Sequence, residues 1–210
     1  KELVGNYLDI KSLEKLKDSI NNCVVSSAEK YVRTRNLKKG KNVIIIETAK
    51  KYVESVIDID LKELTDGNTI KIISIEKEFS SELMGEGKKY KIRGKIDRID
   101  EKNGELRIID YKSGKKLYKR NLEVKDIKEI RNEKGIYNLQ LLIYMIGVYK
   151  ELDTKYIKSG IISLKNINEG VLAGVFEGKN SLSIENIKTY EKEIISLIND
   201  ILDLKIEFKN

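Results

Sequence analysis

The chain has 210 residues, of which 40% are hydrophobic and 36% are charged, a composition typical of a folded globular protein with a sizeable core. Its apolar runs fall well short of the roughly 20 residues that a membrane-spanning helix needs, so we expect no membrane partner and a cytoplasmic location. The absence of histidine excludes histidine general bases and histidine-ligated zinc, and the single cysteine excludes an internal disulfide. We expect that cysteine, Cys23, to be a small buried side chain.

The net charge of +7 is concentrated in one segment of the chain. Residues 85–120 hold 13 Lys and Arg against 6 Asp and Glu, which accounts for the whole excess. A polyanion such as nucleic acid is the natural partner of such a segment. A solvated lysine-rich surface gives the same composition, so charge alone leaves both interpretations open.

Hydrophobic periodicity predicts the helices, and runs of β-branched residues predict the strands. The predicted helices cover residues 12–35, with Ser12 as N-cap, then 42–58, 138–152 and 183–206. The predicted strands cover residues 69–79, 90–100, 105–111, 156–164 and 170–176, with a polar loop containing a short helical piece at 115–134. This order favours a single mixed α/β domain.

The dipeptide Asn103-Gly104 separates the second and third predicted strands and is a strong signal for a two-residue hairpin turn. With such a turn, Asp97 faces Asp110 across the hairpin, and both side chains leave the same side of the sheet. Two facing carboxylates repel each other. A divalent cation such as Mg²⁺ offsets that repulsion with oxygen ligands alone, so the pair is a candidate metal site.

An alternative interpretation of the hairpin needs no metal. Lys95 and Lys112 lie on the same predicted strands and can neutralise the two carboxylates at an exposed surface. A turn of another length would also break the pairing of the two aspartates, because a one-residue slip moves a side chain to the other face.

Three motifs occur in chain order: GKIDRID at residues 94–100, LRIIDYKSGK at residues 106–115 and QLLIY at residues 140–144. They resemble the RecB-type branch of the PD-(D/E)XK nuclease superfamily, whose pattern is G-x-(I/V)-D-R-(I/V)-D, then (I/V)-D-Y-K-(T/S)-G-K, then Q-L-x-x-Y. The similarity extends from about residue 75 to the C-terminus. Each motif is weak by itself, and their order and spacing together are specific.

The resemblance implies an α/β fold with a restriction-endonuclease-like core, in which helices flank a mixed β-sheet. It implies a single nuclease-like domain over residues 1–210, with a helical part at 1–66 and a catalytic core at 67–210. Its activity would be metal-dependent hydrolysis of phosphodiester bonds in DNA. Asp97, Asp110 and the backbone carbonyl of Tyr111 would bind Mg²⁺ or Mn²⁺, and Lys112 would orient or activate the attacking water.

The resemblance also implies roles for side chains outside the hairpin. Gln140 and Tyr144 are one helical turn apart and would face the active site, with ordinary helix packing as the alternative. Glu76 resembles a family glutamate that assists the site. Glu78 shares its strand face and competes for that role, and either one is otherwise a surface charge.

Basic side chains on and after the hairpin are the predicted contacts to the nucleic-acid backbone, which is bound largely irrespective of sequence. They are Lys95, Arg98, Lys115, Lys116, Lys119 and Arg120. A solvated loop is the alternative for the last four. The family suggests exonuclease action in DNA repair or recombination, with a helicase domain or subunit as a partner.

Two departures from the family pattern bear on activity. RecB-type nucleases carry a histidine on an upstream helix as a further metal ligand, and many end in a cysteine cluster that holds an iron–sulfur group. This chain has neither, so we expect it to be a piece of a longer protein, with a weak metal site and low activity alone. An iron–sulfur cluster is implied only for that longer form. The rival interpretations are a catalytically inactive nucleic-acid-binding module and a structural module on the same fold.

Overall fold

The structure is a computed structural model that describes residues 3–31, 37, 39–85 and 87–205. The chain divides into two compact units, Asn6–Lys71 and Ile72–Asn210, the second of which includes Lys1–Gly5. This boundary falls a few residues after the predicted end of the helical part at residue 66. The single-domain organisation stays a prediction.

The first unit contains two helices that pack against each other, α1 (Ile10–Tyr31) and α2 (Lys41–Thr65). Apolar side chains at helical spacing are buried, among them Leu13 and Ile20 of α1. The prediction for α1 is confirmed as far as Tyr31, and residues 32–35 of its predicted range lie outside the described residues. The prediction of α2 is also confirmed, although the helix continues further than expected, to Thr65.

Two local predictions for α1 are wrong. Its N-terminus is capped by Asp9 instead of Ser12, because Ser12 lies in the first turn and donates its N–H to Asp9 Oδ1 at 2.9 Å and its hydroxyl to Asp9 Oδ2 at 2.6 Å. Cys23 is exposed instead of buried, because the second half of α1 buries no described side chain completely.

The second unit is built on a β-sheet. In chain order its strands are β1 (Ile70–Gly85), β2 (Lys88–Lys102), β3 (Glu105–Lys112), β4 (Glu123–Val124), β5 (Tyr156–Ser163), β6 (Val171–Ala173), β7 (Val175–Phe176) and β8 (Ser181–Ser183). The main sheet has the order β1-β2-β3-β5-β6, with β8 also paired to β5, while β4 and β7 form a separate two-stranded sheet. Strands β2 and β3 are antiparallel and strands β3 and β5 are parallel, so the sheet is mixed, as predicted.

Helix α3 (Ile136–Val148) lies in the crossover connection between the parallel strands β3 and β5 and contacts β2, β3 and β5. Its side chains are almost all apolar, and Leu141, Leu142 and Met145 are fully buried. The helix packs closely on the ring of Phe79 at Gly147, where an added Cβ would lie 2.3 Å from a carbon of that ring.

Helix α4 (Ile184–Leu202) confirms the amphipathic helix predicted near the end of the chain. Ser183 caps it by accepting a hydrogen bond from the N–H of Asn186 at 3.1 Å. Ile187 and Ile194 are buried against the core on one side of the helix. Over the described part of the chain, no helix combines the length and apolar character that a membrane span requires.

The hairpin between β2 and β3 has the predicted register. Lys102 pairs with Glu105, and the ladder continues pair by pair to Arg98 and Ile109. The turn residues Asn103 and Gly104 have φ values of +52° and +81°, which a two-residue turn of this kind requires.

Gly104→Ala should lower the free energy of unfolding by about 1 kcal/mol, because a side chain at a positive φ is strained. Urea denaturation measures this change. Gly114→Ala is the matched control, since Gly114 has no positive φ and no atom within 4 Å of its added Cβ. An equal loss of stability in the two variants would mean that the turn conformation is not the cause.

Candidate active site

The centre of the candidate site is Asp110, near the end of strand β3. Its side chain is only 4% exposed. Oδ1 of Asp110 accepts a hydrogen bond from Gln140 Nε2 at 3.0 Å, and the Tyr144 hydroxyl lies 3.4 Å from the same oxygen. The carboxylate is therefore held from the side of helix α3.

Asp97 lies next to this carboxylate on strand β2. The hairpin ladder ends at the pair of Arg98 and Ile109, and the next step, which holds Asp97 and Asp110, is not paired in the ladder. At that step the N–H of Tyr111 donates to Oδ2 of Asp97 at 2.9 Å. The contact of Tyr111 with Asp97 is made by its N–H, while the role of its carbonyl as a metal ligand stays a prediction.

Lys112 supplies the positive charge of the site. Its Nζ lies 2.8 Å from Asp110 Oδ2, and its side chain is 28% exposed, so the ammonium is in contact with both the carboxylate and solvent. Because side chains alternate along a strand, Asp110 and Lys112, two positions apart, lie on the same side of β3 and can form this contact.

Gln140 and Tyr144 share one face of α3, as their spacing predicted. Gln140 Nε2 also donates to the Tyr144 hydroxyl at 2.6 Å, which links the two side chains and Asp110 into one network. The Tyr144 ring meets the edge of the Phe79 ring at a centroid distance of 6.1 Å. Packing and hydrogen bonding therefore both fix these side chains.

The electrostatic balance at Asp110 is unfavourable to its charged form. Burial raises the pKa of Asp110 above its ordinary value, and the negative charge of Asp97 adds to that rise, while the bond to Lys112 opposes it. Burial likewise raises the pKa of Tyr144, although its bond with Gln140 opposes that rise. The phenol of Tyr144 therefore stays protonated at neutral pH and can donate a hydrogen bond to Asp110.

The donor set fits a divalent cation with oxygen ligands. Asp110 Oδ2 is buried, and the Lys112 ammonium lies 2.8 Å from it, so a cation there would bind beside that ammonium or in its place. Such an oxygen, beside a second carboxylate, is suited to Mg²⁺ or Mn²⁺. Among the described residues, however, no three or more Asp, Glu, His or Cys side chains are grouped to hold a metal ion.

The predicted auxiliary glutamates lie outside this group. Glu76 is exposed and forms an ion pair with Lys95, and its backbone has a positive φ of +54° within β1. Glu78 is exposed on the same strand. Neither carboxylate completes a third ligand position in this arrangement.

Arg98 is a correction to the predicted nucleic-acid contacts. Its side chain is 5% exposed, and its Nε donates to Asp100 Oδ2 at 2.7 Å. Asp100 also accepts a bond from Arg107 Nε at 2.7 Å, so the three side chains form a buried charged group. A guanidinium that is buried and engaged in this way is not available to a phosphate.

The other predicted basic contacts are exposed. Lys95 pairs with Glu76, whereas the four basic residues of the loop after β3 form no ion pair with a carboxylate in the described structure. These four residues are Lys115, Lys116, Lys119 and Arg120. They lie directly after Lys112 in the chain.

Sequence reasoning missed Ser163, which holds the loop after Lys112 in place. Its fully buried hydroxyl accepts the N–H of Leu117 at 3.1 Å and donates to the carbonyl of Lys115 at 3.0 Å. Ser163 is the register partner of Lys112 in the parallel pair of β3 and β5. No local sequence signal reveals this contact, because it depends on how two strands distant in the chain pair.

The comparisons with known proteins bear directly on this site. The family model of the PD-(D/E)XK nuclease superfamily matches residues 11–210. The chain belongs to this superfamily. The mixed sheet with flanking helices confirms the predicted fold class, a restriction-endonuclease-like core, and nuclease membership makes nucleic acid the expected substrate class.

Other comparisons add little. A search of curated proteins finds no significant match. Among solved structures, the chain is similar to the one titled "Crystal structure of SSO0001", with 15% sequence identity, 92% of this chain and 89% of that chain covered, and a TM-score of 0.35. A likeness at that TM-score carries no argument about function.

Asp110→Asn should raise the melting temperature of the metal-free protein, measured in EDTA at neutral pH. Because the pKa of Asp110 is raised in the folded chain, the folded state still holds a proton at pH values where the unfolded state has lost it. Stability therefore falls as pH rises through the interval between the ordinary and the raised pKa. The asparagine variant lacks this loss at every pH above that interval.

Asp153→Asn is the matched control, because Asp153 is an exposed aspartate. It should leave the melting temperature unchanged at each pH. A lower melting temperature for Asp110→Asn than for the wild type would mean that the ion pair with Lys112 stabilises the fold by more than burial of the charge costs.

Proposed function

We propose that the chain is a Mg²⁺- or Mn²⁺-dependent nuclease that hydrolyses phosphodiester bonds in DNA. The observation that carries this proposal is the buried Asp110 carboxylate, which lies beside Asp97 and has the ammonium of Lys112 at 2.8 Å. A buried carboxylate with a raised pKa next to a second carboxylate is the kind of arrangement found at functional sites.

In this proposal Asp97, Asp110 and the carbonyl of Tyr111 hold the metal ion. When bound, such an ion polarises a phosphate oxygen and lowers the pKa of a water molecule. Gln140 contributes by bonding Oδ1 of Asp110, because this contact fixes the orientation of the carboxylate that would hold the cation. Tyr144 supports the same contact through its bond with Gln140.

Lys112 is proposed to stabilise the negative charge that develops on the phosphate in the transition state. Its ammonium is fixed by Asp110 yet partly exposed, so it can meet an incoming phosphate without a large rearrangement. A preorganised positive charge in a site with little water is worth more than the same charge in solvent. Lys112 also has the position to orient the attacking water.

The basic loop after β3, residues 115–120, supports nucleic acid as the substrate. Its exposed cations lie directly after Lys112 and are suited to bind phosphates irrespective of sequence. The choice of DNA rests on the RecB-type motifs around Asp97, Asp110 and Gln140. The same proposal includes exonuclease action, a role in DNA repair or recombination, a helicase partner and a cytoplasmic location. It also includes an assisting role for Glu76.

A second candidate function is that of an inactive nucleic-acid-binding module. One observation favours it. Among the described residues, no third acidic, histidine or cysteine side chain is grouped with Asp97 and Asp110 to hold a metal ion. This candidate predicts binding of DNA without cleavage at any concentration of Mg²⁺ or Mn²⁺. A cleavage assay with each metal and with EDTA decides between the two.

Lys112→Ala should reduce cleavage of DNA in Mn²⁺ by about 10²- to 10³-fold, the loss typical of removing one transition-state donor. Its affinity for DNA should change much less, because the basic loop remains. Initial rates of cleavage of a labelled DNA give the first quantity, and fluorescence anisotropy in EDTA gives the second.

Lys158→Ala is the matched control for this variant. Lys158 is also a strand lysine paired with a carboxylate, Glu105, and its side chain is 32% exposed, close to the value for Lys112. Its loss should leave the cleavage rate within about twofold of the wild type. Equal rates for Lys112→Ala and the wild type would remove Lys112 from the catalytic group.

A further inference from the structure

The basic loop contains an aromatic residue to which the sequence motifs give no role. Tyr118 lies between basic residues, and its side chain is 40% exposed. Lys116 Nζ and Arg120 Cζ each lie 5.5 Å from the centroid of its ring. Both cations lie over the ring, so a base that stacks there displaces one of them, which then becomes free to hold a phosphate of the same nucleic acid.

The backbone around Tyr118 is fixed in place. Leu117 is buried, its N–H donates to Ser163 Oγ at 3.1 Å, and its carbonyl accepts a bond from Asn166 Nδ2 at 2.7 Å. Tyr118 itself has an extended backbone, with φ −132° and ψ +164°. Because neighbouring side chains of an extended segment point in opposite directions, burial of Leu117 directs Tyr118 outward.

The segment just before Tyr118 is fixed as well. The carbonyl of Gly114 accepts a bond from Lys165 Nζ at 2.8 Å, and the carbonyl of Lys115 accepts one from the Ser163 hydroxyl at 3.0 Å. The ring is thus presented by an ordered loop, so that binding a base costs little ordering of the protein.

Tyr118 also lies close to the proposed catalytic group along the chain. It is six positions after Lys112, which limits the distance between their Cα atoms to about 22 Å even for a fully extended chain. A nucleotide bound at Tyr118 would therefore belong to the same strand as a phosphate at Lys112, within a few nucleotides of it.

We propose that Tyr118 stacks on an unpaired base and makes the site selective for single-stranded DNA or an unpaired end. Within the body of a duplex both faces of each base are covered by the neighbouring base pairs, so there only an unpaired base can offer a face to the ring. This inference rests on the proposed function and refines its substrate class. Lys116 and Arg120 then hold the phosphates on either side of the stacked base.

The test uses the absence of tryptophan from the chain. Tyr118→Trp introduces one tryptophan at the proposed stacking position, and it can be excited at wavelengths where the tyrosines do not absorb. Its fluorescence should be quenched when a short oligothymidylate is titrated in EDTA, and a fully paired, blunt-ended duplex of two strands should quench it far less. Tyr156→Trp is the matched control, because Tyr156 is another exposed tyrosine, at the start of β5, and its fluorescence should not respond to either DNA.

Affinities measured by anisotropy complete the test. Tyr118→Ala should weaken binding of oligothymidylate by about fivefold to 100-fold, the range for loss of one stacked base, and should change duplex binding by less than about twofold. The salt dependence of binding should be unaltered in Tyr118→Ala and reduced in Lys116→Glu, since only the second variant removes a phosphate contact.

Two results would overturn the inference: an unquenched Tyr118→Trp at saturating oligothymidylate, or equal losses of single-strand and duplex affinity in Tyr118→Ala. Both measurements are made without metal, so they do not depend on cleavage. If the wild type cleaves DNA but Tyr118→Ala keeps full single-strand affinity, the inference fails and the proposed function stands. If quenching occurs but no cleavage is found in Mn²⁺, the proposed function fails and the stacking role stands.

Discussion

The burial of one carboxylate beside another is the constraint on which the candidate site depends. Asp110 is almost completely removed from water, and Asp97 lies next to it, so the ionised pair costs free energy in the absence of a counterion. Gln140, Tyr144 and Lys112 each offset a part of that cost with a hydrogen bond or a charge. Oδ2 of Asp110 lies 2.8 Å from the Lys112 ammonium, and in the proposed function it is also the buried oxygen that would bind a divalent cation.

The topology of the sheet assembles these groups from three separate segments. The β2–β3 hairpin brings Asp97 near Asp110, just beyond the last pair of its ladder. The parallel pairing of β3 with β5 requires a crossover, and α3 in that crossover carries Gln140 to Asp110. The same pairing places Ser163 beside Lys112, where it holds the basic loop.

The sequence predicted the features that depend on local rules. The Asn103-Gly104 turn set the hairpin register, and helical spacing placed Gln140 and Tyr144 on one face. It could not predict features that depend on what covers a surface. Arg98 alternates with Asp97 along β2, but nothing local tells whether the far face of the strand is buried, and the structure buries Arg98 against Asp100.

Binding of Mn²⁺ to the full chain tests the central claim most directly, and electron paramagnetic resonance can measure the free ion during a titration. The account predicts that the wild type binds Mn²⁺ and that Asp97→Asn weakens binding by about tenfold or more. Asp153→Asn, which changes an exposed aspartate, should bind Mn²⁺ as the wild type does. Equal Mn²⁺ affinity in Asp97→Asn and the wild type would contradict the assignment of the paired aspartates as a metal site.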